Sequence, residues 1–376
     1  MHHPQLDCSW RARALIDLDS LHHNISQISR AAPHSRLMAV IKADAYGHGL
    51  ETVCQAIHKQ VDAFAVATIA EGIQCRRVQA DKPIVVLSEW WQPDQLRYFA
   101  QYRLHAVVHN QPQIKWLEEY QGNPISVWIK FDSGMNRLGV DAAEVQAIYK
   151  KFQTLPAIKN IRLMSHLANA DIIGDDFTHQ QLDVFNRIAD KIKCEKSLAN
   201  SAAVMRCPAT HFSWIRPGLM LYGAATCEPR EDKQGNAMPK FDLKAVMQLQ
   251  ARVIAVKTIA AGQPVGYGGV FRTRRISKIA MLGLGYGDGY PRLEDARACV
   301  LIGNRRAPII GRVSMDMITV DVTDLDGVQA GAQATLWGHG LRIEEVAQWA
   351  GTISHELLCK VTTRVPRLAV NHKTHE

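Results

Sequence analysis

The sequence predicts an α/β fold, in which an N-terminal (β/α)8 barrel of the TIM type is followed by a mainly-β C-terminal domain. Three observations predict this fold. From about residue 12 to residue 225, short apolar runs alternate with longer amphipathic segments, at intervals of roughly 20 to 40 residues. The short runs are apolar throughout, which is typical of a parallel sheet covered by helices. Beyond about residue 230 the helical periods stop and apolar runs follow one another between turn residues, which indicates a β-rich domain.

Eight short runs account for the predicted barrel, because eight repeats over about 220 residues fit a closed barrel better than an open sheet. The strands are predicted, in chain order, at RALIDL, LMAVIKA, AFAVATI, PIVVL, LHAVVH, ISVWIKF, IRLMSHL and SLANSAAV. The intervening segments carry apolar residues at three- and four-residue spacing and predict helices, for example at AEGIQCRRVQA, QPQIKWLEEY and FTHQQLDVFNRIADKI.

The change of pattern divides the chain into two predicted domains. The barrel is assigned to residues 12–235 and the β-rich domain to residues 236–376, with which residues 1–11 could pack. A polar segment containing Gly and two Pro, CEPREDKQGNAMPKFD, predicts a linker between them. The second domain is predicted to contain one helix, at IEEVAQWAG; the rest of its apolar runs predict strands.

Composition narrows the class of protein. A hydrophobic content of 47% is ordinary for a well-packed globular chain, and no run approaches the roughly 18 apolar residues of a membrane-spanning helix. The net charge of +8 is dispersed apart from FRTRRISK, so nucleic-acid binding is disfavoured. The eight cysteines form no C-x-x-C pair, so we expect no metal site. With no signal-peptide pattern in the first ten residues, we expect a cytoplasmic protein.

The segment AVIKADAYGHG, residues 39 to 49, carries the first chemical signal. It places Lys42 directly after a predicted barrel strand, at the end of the barrel where catalytic groups lie. An isolated lysine there is most often solvated, but a tyrosine and two glycines within seven residues favour a ligand pocket. A partly desolvated lysine has a lowered pKa and forms Schiff bases, which indicates a carbonyl cofactor such as pyridoxal 5'-phosphate.

Pyridoxal phosphate also needs a phosphate cradle, which barrels provide in the loops after their last strands. Two segments lie there: LANSAAV and WIRPGLMLYG. Each is a weak signal when taken alone.

Nine segments together resemble, in order and spacing, the motifs of bacterial alanine racemases, over roughly residues 12 to 368. They are AVIKADAYGHG, WIKFDSGMNRLG, MSHLANAD, ANSAAV, RPGLMLYG, VGYGG, GYGDGYPR, GRVSMDM and RVPR. The resemblance implies a pyridoxal-phosphate-dependent racemase that interconverts L- and D-alanine for peptidoglycan synthesis or alanine catabolism. It also implies a homodimer whose active sites are shared between subunits.

The resemblance assigns roles to individual residues. Lys42 and Tyr267 would be the two catalytic bases, with Tyr267 supplied by the partner subunit. The implied cofactor-binding residues are Lys42, Tyr46, His166, Asn200, Ser201, Arg216, Gly218 and Leu219. Arg137 and the main chain of Met315 would bind the substrate carboxylate. The supporting residues would be Asp316, the gate residue Tyr286 and Lys130, which matches a lysine that is carbamylated in several family members.

A decarboxylase of the same architecture is the nearest alternative. It would have an acidic residue facing the pyridine nitrogen, and Arg216 at that place argues against it. A barrel that only carried the cofactor would not need the β-rich domain that bears Tyr267. At the entrance, Thr363 stands where some family members have a tyrosine, which leaves a racemase of broader specificity as an alternative.

Overall fold

The structure, a computed structural model, describes residues 10–78, 81–225, 241–293 and 295–371. It confirms the predicted fold class, with a closed parallel barrel followed by a mainly-β domain. The barrel strands are β2 (Arg36–Val40), β3 (Ala63–Val66), β4 (Ile84–Val86), β5 (Leu104–Val108), β6 (Ile125–Lys130), β7 (Ile158–Met164), β8 (Lys196–Ser197) and β9 (Trp214–Ile215). Each strand pairs with the next, and β9 returns to β2 to close the barrel.

Helices surround the barrel and connect its strands. They are α1 (Leu18–Ala31), α2 (Lys42–Gly47), α3 (Leu50–Ile57), α4 (Ile69–Val78), α5 (Leu96–Gln101), α6 (Gln111–Glu119), α7 (Val145–Thr154), α8 (Phe177–Ala189) and α9 (Ser201–Arg206). Side-chain caps begin several of them: Asp17 accepts from the Ser20 amide and Asn110 from the Gln113 amide, each at 3.0 Å. In α8 the buried residues Gln181, Leu182, Phe185 and Ala189 form one stripe, as the predicted helical spacing requires.

The C-terminal domain is built around one long strand, β10, which pairs with three other strands. Its elements are β10 (Met247–Ile259), β11 (Pro264–Val265), β12 (Phe271–Arg272), β13 (Ser277–Leu282), β14 (Cys299–Ile302), β15 (Arg305–Pro308), β16 (Ile318–Asp321), β17 (Gln333–Trp337), α10 (Ile343–Trp349), α11 (Ser354–Lys360) and β18 (Arg367–Val370). The single predicted helix is α10. The prediction missed α11, a seven-residue helix that packs against α2 of the barrel.

One strand lies in the other domain from the one predicted. The segment at the start of the predicted barrel forms β1 (Ala12–Asp17), which pairs antiparallel with β10 and parallel with β18. Its assignment to the barrel was therefore wrong. The eighth barrel strand is β9, whose two residues are too short to produce a recognisable apolar run. An apolar run predicts a buried strand but does not identify the strands with which it pairs.

Residues just before β1 also contact the C-terminal domain. The Arg11 guanidinium donates to the Gly283 carbonyl and to the Asp288 carboxylate, and the guanidinium of Arg252 lies 4.1 Å from the centre of the Trp10 ring. The predicted domain boundary after residue 235 lies outside the described residues, as do residues 1–9, and both assignments stay predictions. None of the helices in the described ranges is long and apolar enough to cross a membrane.

Candidate active site

Lys42 lies at the carboxyl end of β2, where the chain enters a turn of unusual hand. The four residues from Ala43 to Tyr46 all have φ between 52° and 54°, the left-handed region. For residues other than glycine this conformation costs roughly 1 to 2 kcal/mol each. Strain of this kind persists only where surrounding contacts offset it, and it is typical of functional sites.

Side chains from other elements hold this left-handed turn. Glu71, at the start of α4, accepts from the Ala43 amide at 2.6 Å, and Arg367 in β18 donates to the Gly47 carbonyl at 2.6 Å. A Cβ atom on Gly47 would lie 2.2 Å from the Leu358 carbonyl oxygen in α11, so the turn packs directly on the C-terminal domain. Both domains therefore determine where Lys42 and Tyr46 lie.

The left-handed turn places the Tyr46 side chain against the loop that follows β9, which in turn contacts the start of α9 after β8. Ser201, the first residue of α9, accepts from the Gly218 amide at 2.9 Å and from the Met220 amide at 3.3 Å. A Cβ atom on Gly218 would lie 2.5 Å from the Tyr46 hydroxyl oxygen. Tyr46, Ser201 and Gly218 thus converge, and the cap of α9 is Asn200, which accepts from the Ala203 amide at 3.1 Å. Leu219 begins the short 3-10 turn that follows Gly218.

Arg216, directly after β9, is buried beneath the barrel mouth. It donates at 2.6 Å both to the Ser197 hydroxyl and to the Ser165 carbonyl, and its Nη2 lies 3.4 Å from Nδ1 of His166. Burial lowers the pKa of Arg216 to about 10, so it remains a cation at neutral pH. Burial, and then the charge of Arg216, lower the pKa of His166 well below its usual value. His166 is therefore neutral, and its Nδ1 accepts from Arg216.

Cations accumulate at the mouth of the barrel. Burial lowers the pKa of Lys42, with a further contribution from the charge of Arg137 in the loop after β6. Burial and the charge of Arg216 lower the pKa of Lys130, the last residue of β6, to about 8. An amine with a lowered pKa is a better base and nucleophile at neutral pH, and the excess of positive charge favours an anionic ligand.

The remaining candidates lie on the C-terminal domain and are exposed. Tyr267 is 71% exposed, Met315 53% and Tyr286 45%. In the described parts of the chain, no hydrogen bond or ion pair joins Tyr267 to a barrel residue. Asp316 forms an ion pair with Arg364, and Thr363 lies exposed between α11 and β18.

Glu71 and His355 carried no signal that sequence reasoning used, whereas Tyr222 lies in the segment WIRPGLMLYG that the sequence singles out. Glu71 lies in the first turn of α4, a segment whose sequence indicates a helix and nothing more. Tyr222 is fully buried, donates to the Val40 carbonyl at 3.2 Å, and its ring centre lies 5.0 Å from that of Tyr46. His355 in α11 has its ring centre 5.8 Å from that of Tyr46. Only the tertiary structure shows that α11 approaches this site.

A (β/α)8 barrel that carries a partly buried lysine at one strand end, together with a buried arginine and further cations, defines an enzyme of the barrel class whose site suits a small anionic ligand. Two family models match the chain: the alanine racemase N-terminal domain over residues 16–226 and the C-terminal domain over residues 246–369. The chain belongs to the alanine racemase family, which confirms the resemblance seen in the sequence; the family's enzymes are isomerases.

Relatives and solved structures agree over nearly the whole chain. The chain is 41% identical to the biosynthetic alanine racemase of Pseudomonas aeruginosa over 355 residues, which covers 94% of this chain and 98% of that protein. It is 43% identical to an alanine racemase of Nitrosococcus oceani, covering 94% and 98% of the two chains. The crystal structure of the Pseudomonas aeruginosa enzyme superimposes with a TM-score of 0.90 at 39% identity, covering 96% of this chain and 100% of that one. An alanine racemase from Bartonella henselae with covalently bound pyridoxal phosphate gives a TM-score of 0.86 at 30% identity, covering 96% and 100%.

Proposed function

We propose that this protein interconverts L- and D-alanine with pyridoxal 5'-phosphate bound at the mouth of its barrel. The observation that carries the proposal is the position of Lys42. This lysine, whose pKa is lowered mainly by burial, directly precedes the strained turn that places Tyr46 beside Gly218. A covalent cofactor lysine needs both this lowered pKa and a fixed position.

The residues present fit the cofactor. Gly218 has no room for a side chain beside the Tyr46 hydroxyl, so its backbone lies close to this hydroxyl, and backbone amides and hydroxyls are groups that hold a phosphate. Lys42 would hold the cofactor covalently, while Tyr46, Ser201 with its cap Asn200, and the main chain of Gly218 and Leu219 would hold its phosphate. Arg216 would face the pyridine nitrogen, beside His166. When bound, pyridoxal phosphate supplies an electron sink that acidifies the α-hydrogen of an attached amino acid.

Inversion at the α-carbon needs a proton donor or acceptor on each of its faces. Lys42 serves one face. We assign the other to Tyr267, whose exposure in the single chain fits a role completed by a second subunit. Other large apolar side chains of the C-terminal domain are exposed as well, which supports a homodimer. They are Ile254, Val270, Ile276, Tyr286, Met315 and Met317.

The substrate carboxylate would be held by Arg137 and the main chain at Met315. Asp316 supports that loop through its ion pair with Arg364. A lysine with a pKa of about 8 is partly neutral at pH 7, so Lys130 fits carbamylation, in which its amine adds carbon dioxide and releases a proton. The resulting anion would orient Arg137.

The test of this proposal is to incubate the protein with L-alanine in deuterated water and to follow optical rotation and the α-proton signal. We expect loss of rotation, exchange of the α-proton for deuterium and no release of carbon dioxide. The Lys42→Ala variant should show none of these changes. Release of carbon dioxide would support the decarboxylase alternative, and an unchanged substrate would refute both.

A further inference from the structure

A buried histidine holds the left-handed turn at its carbonyl groups. Nδ1 of His48 lies 2.9 Å from the Tyr46 carbonyl oxygen and 3.0 Å from the Ala45 carbonyl oxygen. These residues belong to the strained stretch of backbone. The main-chain amide of His48 already donates to the Ala45 carbonyl at 3.1 Å, so the donor on the ring matters most for the Tyr46 carbonyl. Arg367 supplies the next donor, at Gly47.

The two carbonyl contacts determine the form of the His48 ring. Carbonyl oxygens only accept, so Nδ1 must carry the proton. Burial lowers the pKa of His48 to about 4, so the ring is neutral at pH 7 and Nε2 is unprotonated. Nε2 is buried and has no hydrogen-bond partner among the described residues. A buried nitrogen left unpaired costs free energy. The carbonyl contacts and the packing of the ring are therefore what hold His48 in this place.

The ring packing connects His48 to Tyr46 by a second route. The His48 ring stacks on Tyr222 with ring centres 4.3 Å apart, and Tyr222 in turn lies against Tyr46. His48 thus contacts Tyr46 in two ways: directly at its main-chain carbonyl, and indirectly through Tyr222, which packs on the Tyr46 ring. The Tyr46 hydroxyl ends against Gly218, so a small rotation of the turn would move it out of the cradle.

We propose that His48 is a positioning residue that aims the Tyr46 hydroxyl at the cofactor phosphate. The proposal rests on the proposed function and adds to it a residue that touches neither substrate nor cofactor. The proposal predicts an effect on one ligand only. Loss of the Nδ1 donor should weaken the binding of pyridoxal phosphate and leave the binding of pyridoxal, which lacks the phosphate, nearly unchanged.

The experiment measures dissociation constants for pyridoxal phosphate and for pyridoxal with the full-length protein, stripped of cofactor. The ratio of the two constants reports the phosphate contact. In His48→Asn the side-chain amide takes the place of Nδ1, and we expect a ratio within about threefold of wild type. In His48→Gln and His48→Phe the donor is lost from that place, and we expect the preference for the phosphate to fall by roughly tenfold. His105→Phe is the control, since His105 is a half-buried histidine of β5 whose Nδ1 has no partner among the described residues, and it should leave the ratio unchanged.

A double-mutant cycle tests whether the effect passes through Tyr46. In a Tyr46→Phe background, which lacks the hydroxyl, His48→Phe should not change the ratio further. If His48→Gln and His48→Phe keep the wild-type ratio and lose only thermal stability, the inference about His48 is wrong and the proposed function still stands. A wild-type protein that shows no preference for the phosphate overturns the proposed function and the inference together. The comparison of Asn with Gln decides the question whether or not the Phe variant folds.

Discussion

Replacing Gly218 by alanine should displace the Tyr46 hydroxyl and weaken cofactor binding. The new Cβ atom would lie 2.5 Å from the hydroxyl oxygen and 3.1 Å from the ring carbon that bears it, whereas ordinary contacts begin at 3.4 Å. The oxygen must therefore retreat by about 0.9 Å. Because φ at Gly218 is -120°, alanine meets no left-handed penalty there, and the contact with Tyr46 dominates the effect.

Two magnitudes follow from this displacement. Overpacking of a buried site costs about 1 to 3 kcal/mol of unfolding free energy. A lost hydrogen bond to a charged group is worth about 1.5 to 3 kcal/mol, so affinity for pyridoxal phosphate should fall by roughly tenfold to a hundredfold. Cofactor titration and thermal unfolding of the full-length protein measure the two effects separately.

A Tyr46→Phe background provides the control. Without the hydroxyl the closest contact becomes the ring carbon at 3.1 Å, so the alanine should destabilise this background less than it destabilises wild type. If Gly218→Ala binds the cofactor as tightly as wild type and destabilises both backgrounds equally, the position assigned to the Tyr46 hydroxyl is wrong.

Four other predictions concern the two bases, the pyridine contact, the entrance and pH. Lys42→Ala and Tyr267→Phe homodimers should each be nearly inactive, but refolding them together should restore about a quarter of wild-type activity, because half the dimers gain one intact site; a mixture that forms heterodimers yet stays inactive would place both bases in one chain. Arg216→Glu should slow racemisation, increase transamination and add absorbance in the visible range, and normal turnover with an unchanged spectrum would contradict this role. Thr363→Tyr should reduce turnover of L-serine relative to L-alanine, an effect worth about 1 to 3 kcal/mol if steric, and an unchanged ratio would remove this residue from the specificity argument. Burial lowers the pKa of His105 to about 3, so between pH 6.5 and 3 the unfolded chain binds a proton at this residue that the folded protein does not bind. The free energy of unfolding should therefore fall by up to about 1.4 kcal/mol per pH unit over this range. His105→Phe should flatten this dependence in unfolding titrations, and identical slopes for the two proteins would count against it.

The sequence was sufficient for the class of fold, because apolar periodicity reports directly which faces are buried. It failed where the signal depends on partners distant in the chain. The apolar run of β1 resembles that of a barrel strand, and only its hydrogen bonds to β10 and β18 distinguish the two. The two residues of β9 are too few to form a pattern.

The candidate site divides in the same way. Lys42 could be located because a lysine directly after an apolar run lies where barrels carry their reactive groups. The left-handed turn could not be predicted, since alanine and tyrosine have no preference for positive φ, and the contacts that hold it come from α4, α11 and β18. The role of His48 is equally invisible in the sequence, because it depends on backbone carbonyls that only this turn exposes.

The placement of β1 makes the barrel an insertion within the C-terminal sheet, and this has a consequence for synthesis of the protein. During translation β1 leaves the ribosome about 350 residues before β18, the strand with which it pairs. At about 5 to 20 residues per second, β1 waits roughly 20 to 70 seconds for this partner. The barrel can form in that interval, but the sheet that connects to Gly47 through Arg367 cannot. The turn that follows Lys42 therefore acquires its final contacts only after β18 has been made.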